Sequence, residues 1–229
     1  MLKEEFDNRL ADINAYYRIL EFIDKIESYK KGEHIENIID GTKLTIDSDM
    51  QKCMRANTII LLYNLVESTF RNCIYHIYDA VHDNVLCYKD LSDDLRKVWL
   101  ELKFKNEMGI KKVRDLAKKI SDNISAANVI YDKIPKGTSG NLELVVMIEI
   151  SKKFGINFGK IPCKKDVENS LCFIKLQRNN LAHGNCTFSS IGSLVTYDEL
   201  VRHKSNIVRF LRHIIKIFDE YVTSGRFRK

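Results

Sequence analysis

The chain of 229 residues carries 37 Lys and Arg against 31 Asp and Glu, which gives a formal net charge of +6 at pH 7. Hydrophobic residues make up 45% of it and charged residues 30%, a balance typical of folded globular proteins that excludes a disordered chain. No apolar run approaches the roughly 18 residues of a membrane-spanning helix, and the charged amino-terminal segment lacks the apolar core of a secretion signal. We therefore expect a soluble cytoplasmic protein without a membrane partner.

The first predicted element is a long amphipathic helix over residues 3 to 29, because apolar side chains recur along it at every third or fourth position. They are Phe6, Leu10, Ile13, Tyr17, Leu20, Ile23 and Ile26. Residues 30 to 48 break this period, and the Asp-Gly pair at positions 40 and 41 predicts a small turn or hairpin insertion. A second long helix is predicted from about residue 49 to 85, and it is apolar on most sides, as expected of the core of a bundle.

Shorter helices are predicted in the middle of the chain. One covers residues 93 to 106 and begins after Ser92, and another covers residues 109 to 120. Asn141 is then predicted to cap a helix that ends at Gly155.

The last two predicted helices have clear start signals. Asp166 is predicted to cap the first, and Thr196 and Glu199 have capping-box spacing at the start of the second. The predicted buried stripe of the last helix is Ile207, Phe210, Leu211, Ile214, Phe218 and Tyr221. No repeat or low-complexity linker divides the chain, so we predict an all-α fold, a bundle of long antiparallel helices in a single domain over residues 1 to 229.

Six cysteines occur, none in a CxxC pair, so we expect buried small thiols in a reducing compartment rather than disulfides. Cys73 and His76 have the spacing of two metal ligands, but no second pair with matching spacing accompanies them. The acidic residues are scattered over the predicted helix faces. We therefore expect neither a metal site nor another cofactor.

Two stretches place an arginine and a histidine five positions apart, each with an asparagine after the arginine. One is Arg178 to His183 in RNNLAH, and the other is Arg71 to His76 in RNCIYH. Five residues along a straight helix rotate by about 140° and advance by about 7.5 Å, so two such side chains diverge.

The predicted helix ends distinguish the two pairs. The Arg71 pair lies inside an unbroken helix, whereas His183 is followed by Gly184, the usual residue at which a helix ends. A histidine at a helix end can turn towards an incoming group, which makes Arg178 and His183 the candidate site. The simpler interpretation is a surface arginine and a histidine that favours the negative helix end.

Charged residues in the second predicted helix and in the last one each allow a structural and a functional interpretation. Glu67, in the apolar second helix, is predicted to pair with Arg71 one turn later, or else to support the candidate arginine as a partly buried carboxylate. Positive side chains recur along one side of the last helix and form either a solvated face or a track for an RNA backbone. They are Arg202, Arg209, Arg212 and Lys216.

The stretch LQRNNLAHGN at positions 176 to 185 resembles the arginine-to-histidine signature of the HEPN superfamily of helical bundles, many of which are metal-independent endoribonucleases. Three further segments are similar to larger bacterial HEPN proteins of defence and restriction-like loci. They are NTIILLYNLVESTFRN at 57 to 72, SGNLELVVMIEISKKFGI at 139 to 156 and HGNCTFSSIGSLVTYDEL at 183 to 200. The resemblance covers the chain from about residue 50 to its end, in the expected order.

The resemblance implies an endoribonuclease that acts on RNA without a metal, as a defence or toxin effector. Arg178 would grip the phosphate, His183 would serve as acid and base, and Asn179 would orient the phosphate or the histidine. Asn180 is either a positioning neighbour or a solvent-facing residue.

The resemblance also implies a homodimer, in which apolar helices pair two subunits and two arginine–histidine sets face one cleft. A protein antitoxin or a sensor is a further expected partner. Some HEPN toxins are silenced by modification of a tyrosine two residues after the histidine, and here that position is Asn185. An antitoxin would therefore have to act by binding.

Two other hypotheses remain beside the endoribonuclease. The first is a catalytically silent HEPN module that binds nucleic acid or nucleotides, or that scaffolds a defence complex. The second is a plain helical adaptor, if the resemblance is accidental. Arg178 and His183 are both present, which favours the enzyme, because a scaffold needs neither.

Overall fold

A computed structural model describes residues 2–29, 34–36, 43–104, 135, 138 and 140–229. The fold is all-α, as predicted, and these residues form seven α-helices, one short 3-10 helix (Tyr88–Asp90) and a two-stranded sheet. The helices are α1 (Leu2–Tyr29), α2 (Ser48–Asp83), α3 (Asp93–Phe104), α4 (Leu144–Lys153), α5 (Lys164–Ala182), α6 (Phe188–Gly192) and α7 (Tyr197–Thr223). The helix predicted over residues 109 to 120 lies outside the described residues. None of the described helices is both long enough and apolar enough to cross a membrane.

The insertion between α1 and α2 contains a small antiparallel sheet, which confirms the predicted hairpin. Strand β1 (His34–Glu36) pairs with strand β2 (Lys43–Thr45), and Ile35 stands opposite Leu44. The Asp-Gly pair predicted to form its turn lies outside the described residues.

Contacts between residues divide the chain into two compact units. Apart from the first two residues, unit 1 consists of residues 3–66 and 163–209, and unit 2 consists of residues 67–162 and 210–229. Helices α2 and α7 each contribute residues to both units. A single domain over residues 1 to 229 therefore stays a prediction.

In unit 1, α1 buries its predicted apolar stripe from Phe6 to Ile23, while the side chain of Ile26 lies outside those described. The buried Tyr17 hydroxyl donates to the carbonyl of Leu200 at 2.9 Å, and Lys204 Nζ lies 4.2 Å from the centre of the Tyr17 ring. The Tyr17 hydroxyl is thus a polar group within the buried stripe, and its hydrogen bond offsets the free-energy cost of removing it from water.

Helix α6 docks on the first turn of α2, also within unit 1. The Ser189 hydroxyl donates to Asp49 Oδ1 at 3.0 Å, and hydrogen bonds from Lys52 and Ser189 hold the pKa of the Asp49 carboxyl below its usual value. Gly192 approaches so closely that a Cβ atom there would lie 1.8 Å from the carbonyl oxygen of Lys52. Only glycine fits this contact between two backbones.

In unit 2, α7 contributes its predicted apolar stripe to the buried core. The predicted side chains Phe210, Leu211, Ile214, Phe218 and Tyr221 are all buried, as is Ile207 in unit 1. The rings of Phe70 and Phe218 meet edge to face, with 6.2 Å between their centres.

The start and end signals of the helices are partly confirmed. Thr196 N–H donates to Glu199 Oε2 at 2.8 Å and Glu199 N–H donates to Thr196 Oγ1 at 3.3 Å, so the predicted capping box forms. Helix α3 follows Ser92, and α4 ends before Gly155, both as predicted.

Two predicted caps are wrong. Helix α4 begins at Leu144 with Glu143 at its N-cap, two residues after Asn141. Helix α5 begins at Lys164 with Cys163 at its N-cap, so Asp166 lies inside the first turn. An acidic residue is favourable both as a cap and in the first turn of a helix, and the sequence signal for the two positions is therefore the same.

The expectation of buried thiols holds only in part. Cys73 is buried, but Cys163 and Cys172 are exposed, which corrects the prediction for these two. Cys163 occupies a helix cap, and Cys172 lies on the solvent-facing side of α5, so neither belongs to an apolar stripe.

We predict that Gly192→Ala lowers the free energy of unfolding by roughly 1–3 kcal/mol, because the added methyl group forces two backbones apart. Helix propensity alone predicts the opposite sign, a gain of up to about 1 kcal/mol. Urea denaturation followed by circular dichroism measures the difference. The exposed Ser193→Ala is the control and should change stability by no more than about 0.5 kcal/mol. Unchanged or increased stability of Gly192→Ala would refute the contact with Lys52.

Candidate active site

Helix α5 carries the candidate motif, and its buried face determines where the motif residues lie. The buried residues of that face are Val167, Ser170, Leu171, Ile174 and Gln177. Arg178 follows directly at the edge of this face and is half-buried, while His183 lies beyond the last turn and is exposed. Burial of this face thus fixes the rotation of the helix about its axis.

The Arg178 guanidinium lies over the ring of Tyr63, with its carbon 4.4 Å from the ring centre. Tyr63 lies on α2 and is 0% exposed, so the cation faces a ring without water, where a cation–π contact is strongest. Arg178 Nη1 also donates to Asn179 Oδ1 at 3.0 Å. Both contacts restrict the orientation of this guanidinium.

Helix α5 ends in a glycine turn at His183. Gly184 has a φ of +70°, Asn185 N–H donates to the carbonyl of Asn180 at 2.9 Å, and Gly184 N–H donates to that of Leu181 at 3.2 Å. These two bonds form a Schellman motif, which confirms the predicted helix end. The His183 ring is exposed and makes no hydrogen bond or ion pair with any described residue. An incoming group can therefore reach it.

Asn179 connects the two candidate residues. Its side-chain oxygen accepts from Arg178, and its backbone carbonyl accepts from the N–H of His183 at 3.0 Å. Asn180 points elsewhere, since its amide donates to Gln177 Oε1 at 3.4 Å. Among the described contacts, none joins the guanidinium to the imidazole directly.

Tyr63 was not predicted from the sequence as part of this site. A tyrosine within an apolar helix is typical of a core residue, and about half of the chain separates it from Arg178. No local pattern pairs two such residues, so only the folded chain shows the contact.

The second arginine–histidine pair lies in unit 2 and has structural partners. Arg71 lies 4.0 Å from Glu67, which confirms the predicted pairing of these two side chains. His76 Nε2 lies 3.4 Å from Asp219 Oδ1, although the two are not aligned for a hydrogen bond. Glu67 also accepts from Gly140 N–H at 3.5 Å, and its suggested role beside Arg178 stays a prediction.

Cys73, which has the sequence spacing of a metal ligand relative to His76, lies fully inside the fold. Burial raises the pKa of its thiol, because a thiolate there would lose its hydration. Across the described ranges, no group of three or more His, Cys, Asp or Glu side chains is placed to hold a metal ion.

The four cations of α7 that were predicted to form an RNA track are all exposed. Arg202 lies 3.7 Å from Glu199, and Lys216 lies 3.6 Å from Glu220. Arg209 Nη1 donates to Cys163 Sγ at 3.2 Å, and this bond joins α7 to the first turn of α5 within unit 1.

The sequence profile of the MAE_28990-like HEPN family matches residues 1–227. Neither a curated protein nor a solved structure matches the chain significantly. The profile match also includes the first fifty residues, which the resemblance of individual segments does not reach.

We predict that Tyr63→Leu releases Arg178, because leucine has no π face to attract the cation. In an NMR spectrum, the side-chain protons of Arg178 should show an upfield ring-current shift that disappears in Tyr63→Leu. Tyr63→Phe keeps the ring and is the matched control, so it should retain the shift. A similar spectrum for Tyr63→Leu and the unaltered protein would contradict the contact.

Proposed function

The chain belongs to the MAE_28990-like HEPN family, and on that premise we propose that it is a metal-independent endoribonuclease. Membership indicates a ribonuclease-type or a nucleotide-binding module. The observation that favours a ribonuclease is the end of α5, where an exposed imidazole follows an oriented guanidinium by five residues. These are the two groups that RNA cleavage without a metal needs.

In the proposed reaction, His183 takes the proton of a ribose 2′-hydroxyl, and the resulting oxygen attacks the neighbouring phosphorus. The bond from phosphorus to the 5′-oxygen then breaks, and that oxygen receives a proton. The products are a 2′,3′-cyclic phosphate and a 5′-hydroxyl. Imidazole suits both proton transfers, because it exchanges protons near neutral pH.

Arg178 has the electrostatic role in this proposal. Negative charge builds up on the phosphate oxygens as the new bond forms, and a planar guanidinium can donate two parallel hydrogen bonds to them. Its contact with the buried Tyr63 ring limits its freedom before RNA arrives, so little reorganisation is needed in the transition state. Asn179, bonded to both residues, would keep the arginine and the histidine at a constant separation.

The proposal includes a homodimer, because one imidazole per chain must otherwise act twice. In a dimer His183 can take the first proton, while the partner's His183 supplies the second. Leu176 supports a pairing surface on α5, since it is 51% exposed and lies seven residues before His183. Seven residues are close to two helical turns, so both side chains lie on the same side of α5.

The proposed biological role is that of a defence or toxin effector. It rests on the resemblance to HEPN proteins of such loci. A ribonuclease of this kind needs restraint in its own cell, which a binding antitoxin or a sensor protein would provide. Asn185 offers no hydroxyl for the modification that silences some HEPN toxins.

We predict that the purified protein cuts RNA in the presence of excess EDTA. The cleaved ends should be a 2′,3′-cyclic phosphate or its 3′-phosphate hydrolysis product and a 5′-hydroxyl, which end-specific labelling distinguishes. DNA of the same sequence should stay intact, because it lacks the 2′-hydroxyl nucleophile. A requirement for Mg²⁺ would overturn the mechanism. RNA that is bound but not cut would favour a catalytically silent module.

Arg178→Ala and His183→Ala should each reduce the cleavage rate by about 10²- to 10⁴-fold, the loss typical of a missing charge stabiliser or acid–base group. The double variant should be little worse than either single one, since both residues act on one transition state. His76→Gln is the matched control from the second pair and should keep the activity of its folded fraction. If folded His76→Gln lost as much activity as His183→Ala, the choice of Arg178 and His183 as the catalytic pair would be wrong.

Light scattering at micromolar protein concentration should give a mass near twice the 26.7 kDa of one chain. Leu176→Glu places a charge on the proposed pairing surface and should shift the equilibrium towards the monomer. Val145→Glu alters a side chain of the same exposure, 51%, on α4 and is the control. A monomeric unaltered protein would count strongly against two-subunit catalysis.

A further inference from the structure

Positive charge is concentrated in the middle of α7, while its acidic residues, Asp198, Glu199, Asp219 and Glu220, lie at its two ends. Between Leu200 and Phe218 the sequence contains five Lys or Arg residues and no Asp or Glu. This stretch alone has a charge of +5, against +6 for the whole chain. A local excess of positive charge makes the electrostatic potential at the nearby surface more positive, which attracts polyanions.

Four of these cations lie on one side of the helix and define the basic stripe, which consists of Arg202, Arg209, Arg212 and Lys216. At about 100° per residue, the four positions fall within roughly 80° of one another around the helix axis. Fourteen residues separate the first from the last, which is roughly 21 Å along the helix. The fifth cation, Lys204, is folded over the Tyr17 ring and lies outside the stripe.

On α7 itself, the carboxylates near the basic stripe lie towards the two ends of the helix. Glu199 neighbours Arg202, and Glu220 neighbours Lys216, at 3.7 Å and 3.6 Å. Exposed ion pairs of this kind contribute roughly 0–1 kcal/mol, so a phosphate can replace either carboxylate at little cost. The middle of the stripe has no acidic side chain along the helix.

We propose that the basic stripe binds the phosphate backbone of RNA without reading its sequence. The proposal rests on the proposed function, because RNA is the polyanion that a ribonuclease must hold. Three of the four cations are arginines, whose guanidinium matches a phosphate with two parallel hydrogen bonds. The stripe contains no aromatic ring on which a base could stack, and cations that touch phosphates fix position rather than sequence.

An anionic membrane fits the basic stripe less well. A helix that lies on a membrane inserts its apolar face between the lipids. The apolar face of α7 is already buried in the protein, with Phe210, Leu211 and Ile214 each 0% exposed. The exposed side of the helix is mostly polar and charged, with Val201 as its exposed large apolar residue, which suits a flexible polyanion.

The test uses a fluorescein-labelled 2′-O-methyl RNA oligonucleotide, which lacks the attacking hydroxyl and therefore stays intact during the measurement. Fluorescence anisotropy gives its affinity at several salt concentrations between about 50 and 200 mM. The stripe variant is Arg202→Gln with Arg212→Gln, which leaves the bond between Arg209 and Cys163 in place. The control is Arg9→Gln with Lys97→Gln, two exposed cations on other helices, so both proteins lose the same charge.

The stripe variant should bind more weakly to RNA of every sequence. Each lost phosphate contact should reduce the slope of log affinity against log salt by about 0.7, hence about 1.4 for the pair. The control should keep the slope of the unaltered protein. Equal behaviour of the two variants would overturn the proposal, as would loss of binding to phosphatidylserine vesicles with RNA affinity retained.

This outcome is separate from that of the cleavage experiment. If the stripe variant loses RNA affinity but no RNA is ever cut, the proposed function fails and the stripe remains an RNA-binding surface. If RNA is cut and the stripe variant binds as well as the unaltered protein, the stripe fails and the proposed function stands.

Discussion

The burial of one face of α5 is the constraint on which the candidate site depends. Five side chains at helical spacing are removed from water, and this fixes the rotation of the helix to within a fraction of a turn. Arg178 then stands at the edge of the buried face, where it meets Tyr63, and His183 emerges at the end of the helix. A helix rotated by one residue, about 100°, would move the Arg178 side chain away from the Tyr63 ring.

The two arginine–histidine pairs show how little a spacing means without its surroundings. Both pairs are five residues apart, and both have an asparagine after the arginine. In unit 2, each member lies near a carboxylate, Glu67 or Asp219, and the helix continues past both. In unit 1, the arginine lies on a buried ring, and the histidine stands at a helix end that Gly184 creates. A carboxylate pairs with a cation through its charge, whereas an aromatic ring orients a guanidinium that lies over its face.

Helix α7 combines two functions on opposite sides. Its apolar side is buried, and its opposite side presents four exposed cations. The bond between Arg209 and the Cys163 thiol connects this charged side to the helix that carries the candidate motif. Binding of a polyanion to α7 would therefore lie within one contact of the start of α5.

The sequence by itself determined the six longer described helices, the buried stripes of α1 and α7, the hairpin and the glycine that ends α5, because each of these depends on neighbours a few positions apart. It did not predict the short helix α6, which lies where the sequence indicated a loop. It also distinguished the two arginine–histidine pairs, since a helix end is visible as His183 followed by Gly184. It did not locate the caps at Glu143 and Cys163, because several polar residues near a helix start are equally acceptable. Only the tertiary structure decided the contact of Arg178 with Tyr63 and that of Gly192 with Lys52. Both contacts join residues that are far apart in the chain, and no local sequence pattern records such pairs.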